Sequence, residues 1–126
     1  MADTTTVVDE STVAGWARTA ARAAASKTDD DIVVLDVGPV LAVTSWFIIT
    51  SAPNTRQVKA VAQEVQRQLA EVGAPKAVNV EGLDTCQWVL VNYGDIVVHV
   101  FLDEARTFYD LERLWRDVPR MAWQDD

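Results

Sequence analysis

The chain has 126 residues, which fits one domain, and shares of 49% apolar and 24% charged residues suit a globular protein with one core. One cysteine rules out an internal disulfide, one cysteine with one histidine rules out a structural zinc site, and no apolar run approaches the ~18 residues of a membrane span. A net charge of −8, from 19 acids against 11 bases, disfavours a grip on bare RNA and suits either a basic protein partner or plain solubility.

The acidic excess is uneven. Residues 1–63 carry 7 acids against 5 bases, and residues 64–126 carry 12 against 6. Met1 to Glu10 are polar and acidic, with neither the basic nor the apolar segment of a signal peptide, so the expectation is a disordered tail on a cytoplasmic protein. From Ser11 to Ser26 the positions Val13, Trp16, Ala17, Ala20, Ala21 and Ala24 recur at helical spacing. Ile32 to Val37, bounded by Asp29 to Asp31 and by Gly38-Pro39, reads as a buried strand. Ser45 to Thr50 reads as a second, again without the polar alternation of a half-covered strand.

The period then changes. Val58, Val61, Val65, Leu69 and Val72 form one helical stripe, with Asn54 as N-cap, Gln57 placed to complete a capping box, and Gly73 and Pro75 to end it. Ala77 to Glu81 is a weaker strand. Gln87 to Val91 and Ile96 to Phe101 make a hairpin around Asn92-Tyr93-Gly94-Asp95, where Gly94 is free to take positive φ. A closing helix is expected from Asp110, with Leu111, Leu114, Trp115 and Val118 on one side and Pro119 as its end. A helix between strands requires a parallel pair and the hairpin an antiparallel one. The fold class is therefore mixed α/β: a five-stranded mixed sheet flanked by helices, in one domain over 11–119 with polar tails over 1–10 and 120–126.

Little in the chain points to catalysis. Cys86 and His99 are the one conceivable nucleophile and base, but Asp84 beside Cys86 would raise its pKa. The five glycines form no phosphate loop or dinucleotide fingerprint. The acids at Asp29 to Asp31 read as a turn before a strand, and Asp103-Glu104 as a helix N-terminus. His99 has two readings, a ring displayed to a partner or a hydrogen-bonded core histidine; its side chain points away from those of Val98 and Val100. Five tryptophans are many for this length, and Trp115 lies among Tyr109, Asp110, Glu112, Arg113, Arg116 and Asp117, the composition of an interface anchor.

Taken together, these segments carry a resemblance. Trp88 to Phe101, followed by Glu104, Arg106 and Tyr109 to Trp115, is similar to the signature of the ribosomal silencing factors, the Iojap-related family. Asp31 to Val37, Arg56 to Ala60 and Glu81-Gly82 fall in the family's order upstream, so the resemblance spans about Ala25 to Val118. Two positions depart from it: Ser45 and Asn92, where the family has aspartates.

The resemblance implies a nucleotidyltransferase-like fold without the catalytic carboxylates. Thr44-Ser45-Trp46-Phe47-Ile48 stands where an Asp-x-Asp metal pair would be needed. It further implies no enzyme activity, no cofactor and no metal. The implied partner is the large ribosomal subunit, through its fourteenth protein at the intersubunit face. Docking there blocks joining of the small subunit and lowers translation when nutrients run short or in stationary phase. Self-association into a homodimer is also allowed. By motif position the contact residues are Trp88, Tyr93, Asp95, His99, Tyr109, Glu112 and Trp115. The alternative is a divergent nucleotidyltransferase-like enzyme acting on a nucleotide or RNA.

Overall fold

Thr12 opens the first helix, α1 (Val13–Ala25), by accepting the Gly15 amide on its hydroxyl at 3.0 Å. Alanines 17, 20, 21, 23 and 24 are all fully buried, which lets α1 lie close on the sheet and on the second helix. These elements belong to a computed structural model that describes residues 12–124. The tail expected over 1–10 lies outside the described residues.

The second helix, α2 (Thr55–Glu71), buries Val58, Val61, Ala62, Val65 and Leu69, the stripe read from the sequence. Asn54 caps it by accepting the Gln57 amide at 2.9 Å, but the capping box is not reciprocal. The Gln57 side chain turns instead to the Lys27 carbonyl at 3.0 Å, tying the end of α1 to the start of α2. At the other end Gly73 takes φ +85, and the amides of Gly73 and Ala74 return to the carbonyls of Ala70 and Leu69. This is a Schellman ending, as the glycine implied.

Five strands form one mixed sheet: β1 (Val33–Asp36), β2 (Trp46–Ala52), β3 (Asn79–Glu81), β4 (Trp88–Asn92) and β5 (Ile96–Leu102). Their order is β1-β2-β5-β4-β3; β2 and β5 are parallel and every other pair is antiparallel. In the β4–β5 turn Gly94 has φ +86, and its amide donates to Asn92 Oδ1 at 2.8 Å. Asn92 thus closes the turn with the same kind of oxygen an aspartate would offer.

The closing helix differs from expectation. The chain forms α3 (Asp103–Tyr109), then Asp110 with φ +48, then a four-residue α4 (Leu111–Leu114). The left-handed Asp110 ends α3, and the helix expected to start there runs only to Leu114 rather than to Val118. Arg106 draws the segment back by donating from Nε to Glu112 at 2.9 Å. Acids at Asp103 and Glu104 do stand in the first turn of α3, where the dipole favours them. Within the stretch expected as a polar tail, residues 120–123 run beside β1. The Asp36 amide donates to the Pro119 carbonyl, the Met121 amide to the Val34 carbonyl, and the Trp123 indole to the Ile32 carbonyl. This seals one edge of the sheet.

The two sheet faces are covered unequally. Val34, Ile48, Val89, Val91, Val98 and Val100 pack under α1 and α2. On the other face Val33, Leu35, Ile49 and Phe101 are buried with Ala105, and half-buried Leu111, Trp115 and Val118 pack against them, so the 103–118 segment covers only part of it.

Candidate functional site

The uncovered part of that second face is apolar. Along β4 the half-buried residues Trp88, Leu90 and Asn92 alternate with fully buried Val89 and Val91. Strand register sets Leu90 beside His99 and Val97 beside Phe47. With Leu41, Val43, Thr44 and Val78 these side chains line an open groove of about 430 Å³. Val43 is 80% exposed and Val78 71%, so the rim presents apolar surface to solvent.

Beside the groove lies a layer of rings. Phe47 meets His99 edge-on at 4.7 Å and Trp115 at 5.5 Å; Trp88 lies 4.8 Å from both Phe101 and Tyr109. His99 sits among them, 5% exposed, and accepts the Trp88 indole N–H on Nδ1 at 3.1 Å. Burial lowers its pKa from 6.5 to about 4, so the ring is neutral. A neutral imidazole that accepts at Nδ1 carries its proton on Nε2. Nε2 has no hydrogen-bond partner among the described residues, and neither has the buried Thr44 hydroxyl.

Of the residues singled out from the sequence, Trp88, His99, Tyr109 and Trp115 come together in this layer. Tyr93 does not: it packs against the α1/α2 side, and burial raises the pKa of its hydroxyl. Asp95 is exposed in the hairpin turn, and its carbonyl accepts the amides of Ser45 and Trp46. Glu112 is half-buried and engaged with Arg106. All five tryptophans are half-buried, each partly a core residue and partly surface. Sequence reasoning missed Phe47, Leu90 and Val97 as parts of this face. The signal was present, since β4 and β5 are apolar at both alternations while the chain supplies helices enough to cover one face and part of the other.

The Cys86 and His99 pair weighed from the sequence is engaged elsewhere among the described residues. Cys86 is buried and donates to the Leu83 carbonyl, while His99 Nδ1 is occupied by Trp88, so neither is set to activate the other. No group of His, Cys, Asp or Glu side chains suited to a metal ion occurs among the described residues. Two carboxyls are perturbed among the described residues: the hydrogen bond from Arg67 lowers the pKa of Glu64 to about 2, and that of Asp103 rises from 3.8 to about 6, chiefly through a hydrogen bond with Asp30 and then through burial. Ser51 donates to Asp30 at 2.8 Å and receives Arg106 Nη1 at 2.9 Å, so this network joins the end of β2 to α3. A raised carboxyl pKa favours the native state at low pH, and that advantage is lost as pH rises through about 6. Asp103→Asn is therefore expected to raise stability at pH 7.5 by about 1–2 kcal/mol, with the gain closing near pH 4. Thermal melts at the two pH values check this.

The chain matches known proteins in sequence and in fold. Residues 10–126 match the family described as "Ribosomal silencing factor during starvation". A relative in Bacillus subtilis (strain 168), "Ribosomal silencing factor RsfS", is 41% identical over 100 residues, covering 79% of this chain and 84% of the relative. A mouse relative, "Mitochondrial assembly of ribosomal large subunit protein 1", is 33% identical over 68% of this chain and 38% of its own. The crystal structure of a Chromobacterium violaceum protein superposes with a TM-score of 0.78 at 36% identity, covering 83% of this chain and 87% of that one.

Proposed function

Since this chain belongs to the ribosomal silencing factor family, we propose that it represses translation by docking on the large ribosomal subunit and blocking the small one sterically. The observation that carries this reading is the apolar half of the second sheet face, which the chain leaves uncovered beside a ring of aromatic side chains. Such a face stabilises a complex by leaving water, and occlusion needs affinity and bulk rather than a reactive group. A ribosomal partner is supported by the family description, and the large subunit by the name of the mouse relative. Within it, the fourteenth protein at the intersubunit face is the contact we propose. The charge of −8 suits a basic ribosomal protein, because complementary charge speeds and orients docking.

Trp88, His99, Tyr109 and Trp115 form the aromatic side of the proposed contact, with Asp95 on its rim; Tyr93 and Glu112 reach it only through the elements they brace. The exposed pair Phe108 and Leu114, 78% and 77% accessible, extends the apolar surface past the Asp110 elbow and is available to a second copy in a homodimer. The protein then acts in the cytoplasm, under nutrient limitation, without cofactor or catalysis.

Asp95→Lys is the cleanest test, because its side chain is exposed while Glu112 is bound to Arg106. Co-sedimentation with isolated large subunits is expected to fall about tenfold at low salt, with the melting temperature unchanged. Unchanged retention would count against the docking reading. The nucleotidyltransferase-like alternative predicts that nucleotide with magnesium raises the melting temperature, whereas a docking module stays unmoved.

A further inference from the structure

The groove holds more than apolar surface. Two of its lining side chains, His99 and Thr44, are 5% and 7% exposed, and each keeps a polar atom without a partner among the described residues. Burying a hydrogen-bonding group unpaired costs about 1–3 kcal/mol, so such atoms are rare unless something satisfies them in the working state. The geometry points to His99 as the specificity-determining residue of the docking face, its Nε2–H donating to a carbonyl oxygen that a protein partner inserts into the groove, with Thr44 Oγ1 as a second polar anchor. This rests on the docking reading above and deepens it.

The chemistry of the partner follows from the donor. The Trp88 indole fixes the imidazole at Nδ1, so the proton at Nε2 is set in place before any partner arrives. Burial keeps the ring neutral well below pH 7, so it offers a dipole and no charge. A neutral donor framed by Phe47, Leu90 and Val97 suits a peptide or carboxamide carbonyl carried on an apolar segment. An RNA phosphate would meet a chain of net charge −8. Both polar atoms are buried in the free protein, so the partner must part the groove lining to reach them, and the rim residues Leu41 and Val43 lie on an irregular segment able to give.

Two substitutions separate the donor from the internal bond. His99→Asn keeps an oxygen near Nδ1 for the Trp88 indole and lacks a donor at the Nε2 position. His99→Gln reaches that position with an amide N–H. With isolated large subunits as the probe, His99→Gln is expected to bind within about threefold of wild type, and His99→Asn about tenfold more weakly. Equal binding by wild type and His99→Asn would overturn the inference alone. Failure of the wild type to bind large subunits would overturn the docking reading and this inference with it. Nitrogen NMR of the imidazole in the free wild-type protein gives a check independent of any variant: Nε2 is expected protonated and Nδ1 bare, and the reverse tautomer refutes the assignment.

Discussion

Gly82→Ala is expected to destabilise the protein by about 3 kcal/mol or more, a large share of the ~5–15 kcal/mol that holds a domain of this kind together. Gly82 has φ +92, where an L side chain is strained, and an added Cβ would stand 2.1 Å from the carbonyl oxygen of Trp88. That oxygen belongs to the backbone and cannot swing aside. The clash must be relieved by moving β4 at Trp88, whose indole fixes His99 and whose ring packs on Phe101 and Tyr109. Gly73→Ala is the control: φ is +85 there too, but the added methyl meets open space, so only the conformational cost of about 1 kcal/mol is expected. Urea titrations of both variants measure the difference; equal losses would show that the contact with Trp88 is not the cause.

The second large effect lies in pH. His99 has a native pKa of about 4 against 6.5 for an unburied ring. Above 6.5 the ring is neutral in both states. Between 6.5 and 4 the unfolded chain takes up a proton that the native state refuses, so native stability falls as the solution is acidified, by about 3 kcal/mol in all. Asp103 works in the other direction, since its native carboxyl holds a proton up to about 6 while the unfolded one releases it above 3.8. The two slopes oppose each other between pH 6 and 4, and the wild-type profile is expected to be flatter than either. His99→Phe removes the first slope, so that variant should gain stability on acidification; Asp103→Asn removes the second and should lose it more steeply than wild type. Denaturation series at pH 7, 5.5 and 4.5 would show this, and parallel profiles for all three proteins would refute burial as the origin.

The regular elements were legible because their signals are local. The 3–4 spacing of Val58 to Leu69, the Asn54 cap and Gly73 place α2 to within a residue, and the apolar runs around Asn92 to Asp95 place the hairpin. The closing segment was not, because Leu111, Leu114 and Trp115 have helical spacing whichever way the chain is bent. What the spacing does not show is the pair of contacts that hold the bent segment, Arg106 with Glu112 six residues on and Phe47, far off in the chain, with Trp115. Similarly, Gln57 as read from sequence belongs to a capping box, but the Lys27 carbonyl, distant in the chain, competes for it and wins. For the site, alternation along β5 put His99 on the face away from Val98 and Val100, which the fold bears out. It could not tell which half of that face would stay open, since this depends on where residues 103–118 come to rest.

The seal on β1 has a consequence for how the protein is made. The strand emerges early in synthesis, whereas the carbonyl of Pro119 and the amide of Met121 that satisfy its outer edge arrive far later. Until then a nascent or prematurely ended chain carries an unpaired ribbon rich in valine, able to recruit a like ribbon from a neighbour. Truncations placed before Pro119 should therefore be recovered as aggregates rather than as weakened monomers.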